Sequence, residues 1–427
     1  MNRPGFSRRR FAQALGAGGA LSTLGACASS SSPRKLGRVL IVGGGFGGAT
    51  AAKYLKLWGG EGIDVTLVER NTQFVSCPLS NLVIGGSRKI GDLTMGYQGL
   101  RDRRVLVLND EVTDIDPVKK RVVMKKVADL SYDKLILSPG IDFMHEQIAG
   151  LDAAAQQTIL HAWRAGPETV ALRAQLEAMP DGGTFVISIP TAPYRCPPGP
   201  YERVCQVAHY FKTAKPRSKI IVLDGNPDIT SKKALFLAAW NGPFKGMIDY
   251  RPNSPVTEVD AKSRTAITDL GDKVRADVLN VIPPQRGGDI ARKLGLLNAN
   301  ARWATVDWMT LESTAARDVH VLGDTTLPAP GMPKSGHMAN QHGKTVAAAI
   351  LAQFNGRAPT SPVMANTCYS FVDDRNVVHV ASVHQWSGDK KTIEPVAGAG
   401  GLSSAASELE GQYAFAWARN IWNDMLT

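Results

Sequence analysis

The chain has 427 residues, of which 44% are hydrophobic and 20% are charged. This length is too great for a single compact core, so we expect a globular protein of two or three domains. The formal net charge is +11, and four arginines among the first ten residues supply +4 of it, which leaves about 11 − 4 = +7 for the rest of the chain. That excess suits an acidic protein partner, but basic residues do not alternate with aromatic ones and no nucleic-acid-binding motif is present, which argues against nucleic acid.

Residues 1–33 predict an export signal and a linker rather than a folded element. The stretch Ser7-Arg8-Arg9-Arg10-Phe11 matches the twin-arginine pattern, and the small, weakly apolar run over 12–26 follows it. That run is too short and too rich in glycine for a transmembrane helix, so we expect none. Cleavage near Ala28 would give a soluble periplasmic protein, whereas Cys27 could instead carry a lipid anchor.

A buried strand beginning at residue 38 leads into the turn Gly43-Gly44-Gly45-Phe46-Gly47-Gly48. A helix of small and apolar residues is predicted over 49–58, and a second strand over 63–69 ends in an acid. This order is typical of a dinucleotide-binding unit, in which glycines allow a tight turn, close approach of a pyrophosphate, and close packing of helix on strand. We therefore predict these cofactor-binding residues: Gly43, Gly45, Phe46, Gly47, Gly48, Glu69 and Arg70.

Two later segments indicate that the dinucleotide is FAD. Residues 132–140 predict a strand that ends in Pro139-Gly140, and residues 319–324 predict another that ends in Gly323-Asp324. The order and spread of these signals resemble the disulfide-reductase-like flavoprotein superfamily, in which such an aspartate binds the ribityl chain. The expected fold is α/β, with two Rossmann-like domains and a small C-terminal α+β domain.

The expected domains are an FAD-binding domain (36–150 and 281–358), a second Rossmann-like domain (151–280) and a C-terminal domain (359–427). In the second domain, strands over 183–189 and 219–224 flank a helix over 201–212. Its glycine turn is replaced by a loop with four prolines between Pro193 and Pro200, which remove N–H donors. An amide cradle for a nicotinamide dinucleotide is therefore not expected, and the electron donor should be smaller.

The chain contains five cysteines: Cys27, Cys77, Cys196, Cys205 and Cys368. There is no Cys-x-x-Cys-His, so we expect no c-type haem on this chain, and no clustered His and Cys ligands, so we expect no metal site. Cys205 is expected to pack in a helix core. Cys77, Cys196 and Cys368 are expected in irregular segments beside prolines or polar turns.

On these residues the chain resembles the flavoprotein subunit of flavocytochrome c sulfide dehydrogenase, from about residue 36 onward. The matching stretches are 39–50, 76–81, 193–205 and 333–337. The Cys-Pro-Pro-Gly-Pro-Tyr-Glu stretch at 196–202 is the most discriminating of them.

The resemblance implies a role for each cysteine outside the helix core. Cys77 would form a thioether with the flavin, and Cys196 and Cys368 would form a redox-active disulfide that hydrogen sulfide attacks. Glu202 would be an acid/base candidate, although a solvated glutamate or one in the first turn of a helix is an equal interpretation. A c-type cytochrome on another chain would accept the electrons.

Other interpretations stay open at this point. A sulfide:quinone oxidoreductase would share the fold, but the aromatic tail over 415–422 is short and interrupted by polar residues, unlike a membrane-lying helix. A flavoprotein of the thiosulfate-oxidising system that reduces a sulfur-carrier protein is the other alternative. His337 and His342 are interpreted as surface or packing residues of a helix rather than catalysts.

Overall fold

The computed structural model describes residues 35–427. The predicted export signal and the lipid-anchor candidate Cys27 lie outside these described residues. Within them, no helix combines the length and the apolar character that crossing a bilayer requires.

Residues 35–427 contain twenty-two strands and nine α-helices. The strands are β1 (Gly37–Val42), β2 (Ile63–Val68), β3 (Phe74–Val75), β4 (Thr94–Met95), β5 (Leu106–Leu108), β6 (Val112–Asp116), β7 (Arg121–Met124), β8 (Leu130–Ser131), β9 (Lys134–Leu137), β10 (Ile141–Phe143), β11 (Thr184–Ile189), β12 (Lys219–Asp224), β13 (Ile248–Arg251), β14 (Val256–Asp260), β15 (Thr265–Thr268), β16 (Lys273–Arg275), β17 (Val278–Val281), β18 (Gln285–Gly287), β19 (Val319–Val321), β20 (Val363–Phe371), β21 (Val377–Ser387) and β22 (Thr392–Leu402). The helices are α1 (Phe46–Gly59), α2 (Ser80–Gly85), α3 (Gln98–Asp102), α4 (Pro167–Ala178), α5 (Gly199–Ala214), α6 (Lys233–Asn241), α7 (Asp289–Lys293), α8 (Gly336–Phe354) and α9 (Glu408–Leu426).

The first sheet is built around the apolar run of β1, whose last four residues are buried. Its strand order is β19-β9-β1-β2-β5, and every neighbouring pair is parallel. The chain moves outward from β1 to β2 and β5, then returns to place β9 and β19 on the other side. The carboxyl ends of β1 and β9 therefore meet at the point where the strand order reverses, where ligands bind in folds of this kind.

A second parallel sheet has the order β13-β12-β11-β17. Helix α5 connects β11 to β12 and is buried along most of its length, with Tyr201, Val204 and Phe211 in the core. The same core includes Val378 from β21, so the C-terminal sheet packs directly on this domain. A short antiparallel pair, β10 with β18, lies where the chain crosses between the two parallel sheets.

The C-terminal segment is an antiparallel sheet, β20-β21-β22, followed by α9. The expected α+β character of this segment is confirmed, and the aromatic tail over 415–422 lies within a continuous 19-residue helix. The Ser407 side chain caps it by accepting from the Glu410 N–H at 3.3 Å, and Ala414, Ala418 and Ile421 lie on its buried face. Cys368 lies within β20 rather than in an irregular segment, so the prediction of an irregular segment there was wrong.

Candidate active site

A cavity of about 1120 Å³ lies at the carboxyl ends of the first sheet and extends to the second and C-terminal sheets. Strand ends line it in the expected order: the glycine turn after β1, Glu69 and Arg70 after β2, Pro139 and Gly140 after β9, and Gly323 and Asp324 after β19. The three cysteines outside the core line it too: Cys77, Cys196 and Cys368. Sites predicted from separate parts of the chain are thus brought to one cavity.

The glycine turn is shaped by contacts that only glycine allows. Gly43 has φ = 100°, a conformation that side chains disfavour. A Cβ on Gly48 would lie 1.9 Å from the Gly43 carbonyl oxygen, whereas a Cβ on Gly45 would meet nothing within 4 Å. Gly48 therefore lets α1 pack on β1, while Gly45 leaves open space at the N-terminus of α1, where amide groups face the cavity.

Glu69 is held at the cavity wall by backbone N–H groups. Its carboxylate accepts hydrogen bonds from the N–H of Gly44 at 2.7 Å and of Asn71 at 2.9 Å. Tyr97, which sequence reasoning missed, donates its hydroxyl to the Gly44 carbonyl at 3.0 Å. These contacts fix the glycine turn and hold the Glu69 carboxylate beside it. In dinucleotide-binding units, the ribose hydroxyls bind to an acid in this position.

Asp324 provides the clearest test of whether FAD fits. Its Oδ1 is buried without a hydrogen-bond partner among the described residues, and burial raises the pKa of the carboxyl. An unpaired buried carboxyl oxygen costs free energy unless a bound group donates to it, and a ribityl hydroxyl is such a donor. Together with the open space at Gly45, this orphaned oxygen means that the residues present fit FAD.

The cysteines differ sharply in surroundings, and all four in the described part of the chain are free thiols. Cys77 lies between β3 and α2. Cys196 lies in the proline-rich loop at φ = 58°, where its N–H donates to the Lys334 carbonyl at 2.9 Å. Cys205 is buried in α5 with its Sγ 3.3 Å from the indole nitrogen of Trp240, as expected for a packing residue.

Cys196 and Cys368 both line the cavity, and negative charge on Cys368 would raise the pKa of Cys196. Burial raises the pKa of both, and each cysteine also feels the nearby Glu202 carboxyl. For Cys368 the largest opposing influence is the ammonium group of Lys232, which favours the thiolate. Cys368 Sγ also lies 3.5 Å from the side-chain amide nitrogen of Asn366, so a polar side chain contacts this sulfur.

Glu202 is not the solvated residue that one interpretation allowed. It lies in the first turn of α5, is 7% exposed, and lines the cavity. Its carboxylate accepts from the Asn81 side-chain amide at 2.9 Å and from the Phe371 N–H at 2.9 Å. Glu202 is thus the helix-turn residue of the other interpretation, and burial raises the pKa of its carboxyl.

The second Rossmann-like domain uses its own side chains where a nucleotide would bind. Asp224 ends β12, the position of the ribose-binding acid, but it is fully buried. It accepts from the hydroxyls of Tyr201 at 2.8 Å and Tyr250 at 3.0 Å, and from the Asn226 side-chain amide at 2.7 Å. This carboxylate is therefore already satisfied by the protein.

Of the two histidines that were interpreted as surface or packing residues, His342 is buried and His337 is half-buried. His342 is 2% exposed and accepts the Gly323 N–H at 3.1 Å, which supports a packing role. His337 lines the cavity, accepts the Thr367 N–H at 3.0 Å and contacts Trp417 of α9 edge to face.

Sequence reasoning missed Asn81, Lys232 and Trp417. Asn81 and Trp417 line the cavity, and Lys232 lies behind Cys368. Only Asn81 had a usable signal, since it ends one of the family-like stretches. Among residues 35–427, no group of three or more His, Cys, Asp or Glu side chains is placed to hold a metal ion.

Comparisons with known proteins agree with this arrangement. The family model "Sulfide dehydrogenase [flavocytochrome c] flavoprotein chain, central" matches residues 169–283, and "Flavocytochrome c sulphide dehydrogenase, flavin-binding" matches residues 360–426. The model "Pyridine nucleotide-disulphide oxidoreductase" matches residues 37–173.

Individual relatives extend the likeness. A sulfide dehydrogenase [flavocytochrome c] flavoprotein chain from Chlorobaculum thiosulfatiphilum is 61% identical over 46 residues, which are 11% of this chain and 94% of that sequence. Mouse mitochondrial sulfide:quinone oxidoreductase is 25% identical over 325 residues, 71% of this chain and 68% of the relative. The solved sulfide:quinone oxidoreductase of Aquifex aeolicus shares the fold, with a TM-score of 0.73 and 17% identity over 91% of each chain.

The two matches to flavocytochrome c models cover the proline-rich loop that carries Cys196 and the strand that carries Cys368. The third match covers the glycine turn at Gly43 to Gly48. The chain therefore belongs to the family of flavocytochrome c sulfide dehydrogenase flavoprotein chains.

Proposed function

We propose that the protein oxidises hydrogen sulfide with FAD, using Cys196 and Cys368 as a redox-active disulfide. The observation that carries this proposal is that these two cysteines, 172 positions apart in the chain, line the same cavity as the flavin-binding glycine turn. The buried acid Glu202 lies beside them. The family match supports the same reaction.

FAD would be held by the turn from Gly43 to Gly48, by Glu69 and by Asp324, with Cys77 forming the covalent link. Bound flavin supplies the capacity to accept an electron pair and to release the electrons singly. The protein's part is to hold the adenosine and ribityl groups and to bring the cysteines to the same cavity. Cys77 is suited to the link because it lines that cavity on a different segment from the other two cysteines.

The sulfur chemistry balances without a further reagent. Hydrosulfide attacks one sulfur of the disulfide, the S–S bond breaks, and the products are a persulfide on one cysteine and a thiolate on the other. When the disulfide re-forms, one sulfur atom leaves at the oxidation level of elemental sulfur, together with one proton and two electrons. Bound FAD would supply the acceptor for these two electrons.

In this proposal Glu202 would accept and release the proton of the cycle. Its two carboxyl oxygens are held by Asn81 and by the Phe371 N–H, so the group has a fixed position. Because burial raises its pKa, it accepts a proton more readily than a solvated carboxylate does. The protein thereby keeps a buried acid/base group at the wall of the cavity.

A nicotinamide is disfavoured as electron donor by contacts in the second domain. The carboxylate of Asp224 is engaged by Tyr201, Tyr250 and Asn226, and the loop before α5 lacks the amide donors of a phosphate cradle. A ribose would have to break these bonds to bind. A small anion requires neither a ribose-binding acid nor a phosphate-binding loop.

A c-type cytochrome on another chain is the electron acceptor in this proposal, and the periplasm is its location. The name of the family supports the first, and the twin-arginine pattern at residues 7–11 supports the second. Intact-mass analysis of protein from the native host distinguishes a chain cleaved after Ala28 from one lipidated at Cys27. Retention of residues 1–28 would contradict both forms of processing.

The test is anaerobic titration of the oxidised protein with sulfide, followed by flavin absorbance. We expect rapid bleaching in wild type and in Cys205→Ser, whose cysteine packs away from the cavity, and loss of bleaching in Cys196→Ser and Cys368→Ser. A flavin that stays oxidised with sulfide, but bleaches when a thiol-bearing carrier protein is added, would reject sulfide as substrate. That result would favour the sulfur-carrier interpretation.

A sulfide:quinone oxidoreductase is the second candidate, because the fold matches the Aquifex aeolicus enzyme over 91% of each chain. The two functions differ only in the acceptor. Sulfide-reduced protein should be reoxidised by cytochrome c much faster than by a soluble ubiquinone analogue. The opposite order would select the quinone function.

A further inference from the structure

A histidine and a glutamate meet at the cavity wall where the chain enters α4. His161 and Glu168 both line the cavity, and their side chains are 16% and 26% exposed. His161 Nδ1 lies 2.9 Å from Glu168 Oε2, and Glu168 Oε1 accepts the backbone N–H of His161 at 2.9 Å. Both carboxylate oxygens are thus held by one residue. Neither side chain takes part in the proposed steps at the cysteines.

His161 Nδ1 has two neighbours that favour opposite protonation states. The Glu168 carboxylate favours a proton on Nδ1, because an ionised carboxylate can only accept a hydrogen bond. The Trp163 N–H, also 2.9 Å from Nδ1, favours a bare nitrogen that can accept it. Nδ1 therefore has a partner whether it carries a proton or not, so it can gain or lose one without being left unpaired. The ring of Phe143 stacks on the imidazole at 4.0 Å and holds it in this position.

The other ring nitrogen of His161, Nε2, is open to the cavity. It makes no hydrogen bond within the described residues and is not one of their fully buried polar atoms. The charged and titratable groups around the ring are Glu168 on α4, Arg164 on the preceding loop, Arg203 on α5 and His145 after β10. Burial lowers the pKa of His161, and the hydrogen bond with Glu168 opposes this. A neutral ring with its proton on Nδ1 leaves a lone pair on Nε2 that can take a proton from the cavity.

Trp163 brings this segment close to a cysteine. A Cβ on Gly199 would lie 2.8 Å from Trp163 Cη2 and 2.9 Å from Cys196 Sγ. These two atoms are therefore at most 2.8 + 2.9 = 5.7 Å apart. The residue whose N–H contacts the His161 ring thus also lies beside the sulfur of Cys196.

Arg203 connects the same segment to the acid/base group. Its guanidinium donates to the His161 carbonyl at 2.7 Å and to Asn81 Oδ1 at 3.1 Å. The Asn81 side-chain amide in turn donates to the Glu202 carboxylate at 2.9 Å. Two side chains therefore fix His161 relative to Glu202, and both residues line one cavity.

We infer that His161 and Glu168 form a proton relay that carries the proton of sulfide oxidation out of the cavity. The relay rests on the proposed function. Glu202 returns to a carboxylate, an N–H bond forms at His161 Nε2, the Nδ1–H bond breaks, and Glu168 Oε2 gains the proton. The Trp163 N–H then pairs with the bare Nδ1. Loss of the proton from Glu168 to solvent and return of the ring proton to Nδ1 restore the pair, and no electrons move.

The surface of α5 offers a matched control. His209 also lies near a carboxylate, with Nε2 3.7 Å from Asp374 Oδ1, but it does not line the cavity. Replacing it removes a histidine next to a carboxylate and leaves the cavity wall unchanged. An effect of His161→Gln that is absent in His209→Gln therefore arises at the cavity.

The first experiment determines the tautomer of His161 in the oxidised holoprotein without sulfide. Spectra that correlate ¹H and ¹⁵N in histidine-labelled protein at neutral pH show which ring nitrogen carries hydrogen, and either His161→Gln or Glu168→Gln assigns the signal. We expect a proton on Nδ1 and a bare Nε2 in wild type. In Glu168→Gln the ring should shift toward the Nε2–H tautomer, because an amide attracts the Nδ1 proton less than a carboxylate does.

A proton on Nε2 in the wild type, in a neutral or a charged ring, would overturn the inference, because that nitrogen could not accept another. An unchanged tautomer in Glu168→Gln would remove Glu168 from the relay. The wild-type spectrum keeps the test decisive if one of the two variants does not fold.

The second experiment measures steady-state sulfide oxidation with cytochrome c as acceptor. We expect His161→Gln to lower kcat by about 10²-fold, the lower end of the usual contribution of a proton-transfer group, and His209→Gln to leave it unchanged. Added imidazole should restore part of kcat in His161→Gly, which a purely structural role would not allow. An unchanged kcat in folded, flavin-loaded His161→Gln would overturn the relay, as would a loss in His161→Gly that imidazole does not restore.

These outcomes separate the relay from the proposed function. The spectra need no sulfide, so they report on His161 and Glu168 even if sulfide fails to bleach the flavin. Conversely, undiminished sulfide oxidation in His161→Gln would leave the proposed function intact and remove the relay.

Discussion

Replacing Gly48 and Gly45 separately with alanine should distinguish the packing role of the glycine turn from its cofactor role. A Cβ at Gly48 would lie 1.9 Å from the Gly43 carbonyl oxygen, and ordinary contact begins near 3.4 Å, so α1 must move by about 3.4 − 1.9 = 1.5 Å. That displacement would separate the buried helix residues Ala52 and Leu55 from the core. We expect Gly48→Ala to destabilise the protein by about 3 kcal/mol, the upper part of the usual range for overpacked sites.

Gly45→Ala should behave differently. The added Cβ meets no atom within 4 Å, and φ = −74° with ψ = −167° is open to alanine, so the change in stability should be within about 1 kcal/mol. The same methyl group would occupy the space at the N-terminus of α1 into which the pyrophosphate fits. We therefore expect a native fold that retains little flavin.

The assay is thermal unfolding by circular dichroism together with the flavin-to-protein absorbance ratio, in a Cys77→Ser background so that the flavin can dissociate. Gly48→Ala should lose both stability and flavin, and Gly45→Ala should lose flavin only. A wild-type Tm in Gly48→Ala would refute the packing argument. A wild-type flavin-to-protein ratio in Gly45→Ala would refute the argument that the pyrophosphate fits into the space beside Gly45.

Three further predictions concern named side chains. Cys77→Ser should release its flavin on acid precipitation, whereas the wild-type flavin should stay with the protein; wild-type flavin in the supernatant would contradict the covalent link. Glu202→Gln should keep a native Tm but slow sulfide reduction of the flavin by about 10²–10⁴-fold in stopped-flow measurements, and an unchanged rate would remove Glu202 from proton transfer. Burial lowers the pKa of His320 to about 4 and of His342 to about 3, so between pH 6.5 and 4 the unfolded chain binds more protons than the folded one and stability falls on acidification. His320 alone should contribute about 3 kcal/mol to this loss, from a shift of roughly 2.5 pKa units; Tm measured from pH 7 to 4 should decline, less so in His342→Asn, and a flat profile would contradict the argument.

The first sheet was predictable because its signals are local. An apolar strand, a glycine turn and a terminal acid follow each other within residues 38–69, and each acts on its neighbours in sequence. The strand ends at Gly140 and Asp324 could also be predicted, each from its own local sequence. Their meeting point follows from the parallel order of the sheet, since carboxyl ends of parallel strands share one edge.

Lys232 was not predictable, because its burial is decided by tertiary contacts. Lys232 and Lys233 are adjacent and chemically identical, yet one hydrogen-bonds to β20 and β21 and the other pairs with Asp228 on the surface. No periodicity of apolar residues in the sequence distinguishes Lys232 from Lys233. The choice depends on a sheet that begins 130 residues later in the chain.

Helix α9 had a signal that was overlooked. Ser407 and Glu410 have the spacing of a capping box, and Ala414, Ala418 and Ile421 recur at intervals of four and three. Trp417 faces the cavity, so the aromatic content of the helix reflects its place in the site as well as its packing.

The order of strands in the first sheet has a consequence for biosynthesis. β1 pairs with β9, which pairs with β19 near residue 320, and α9 is fixed to α1 by the bond of Tyr54 to Asp424 at 2.6 Å. Nearly the whole polypeptide must therefore be synthesised before all the segments that line the cavity are present. Such long-range pairing is slow and exposes apolar strands while it is incomplete. We therefore expect flavin to bind only after nearly all of residues 35–427 have been synthesised.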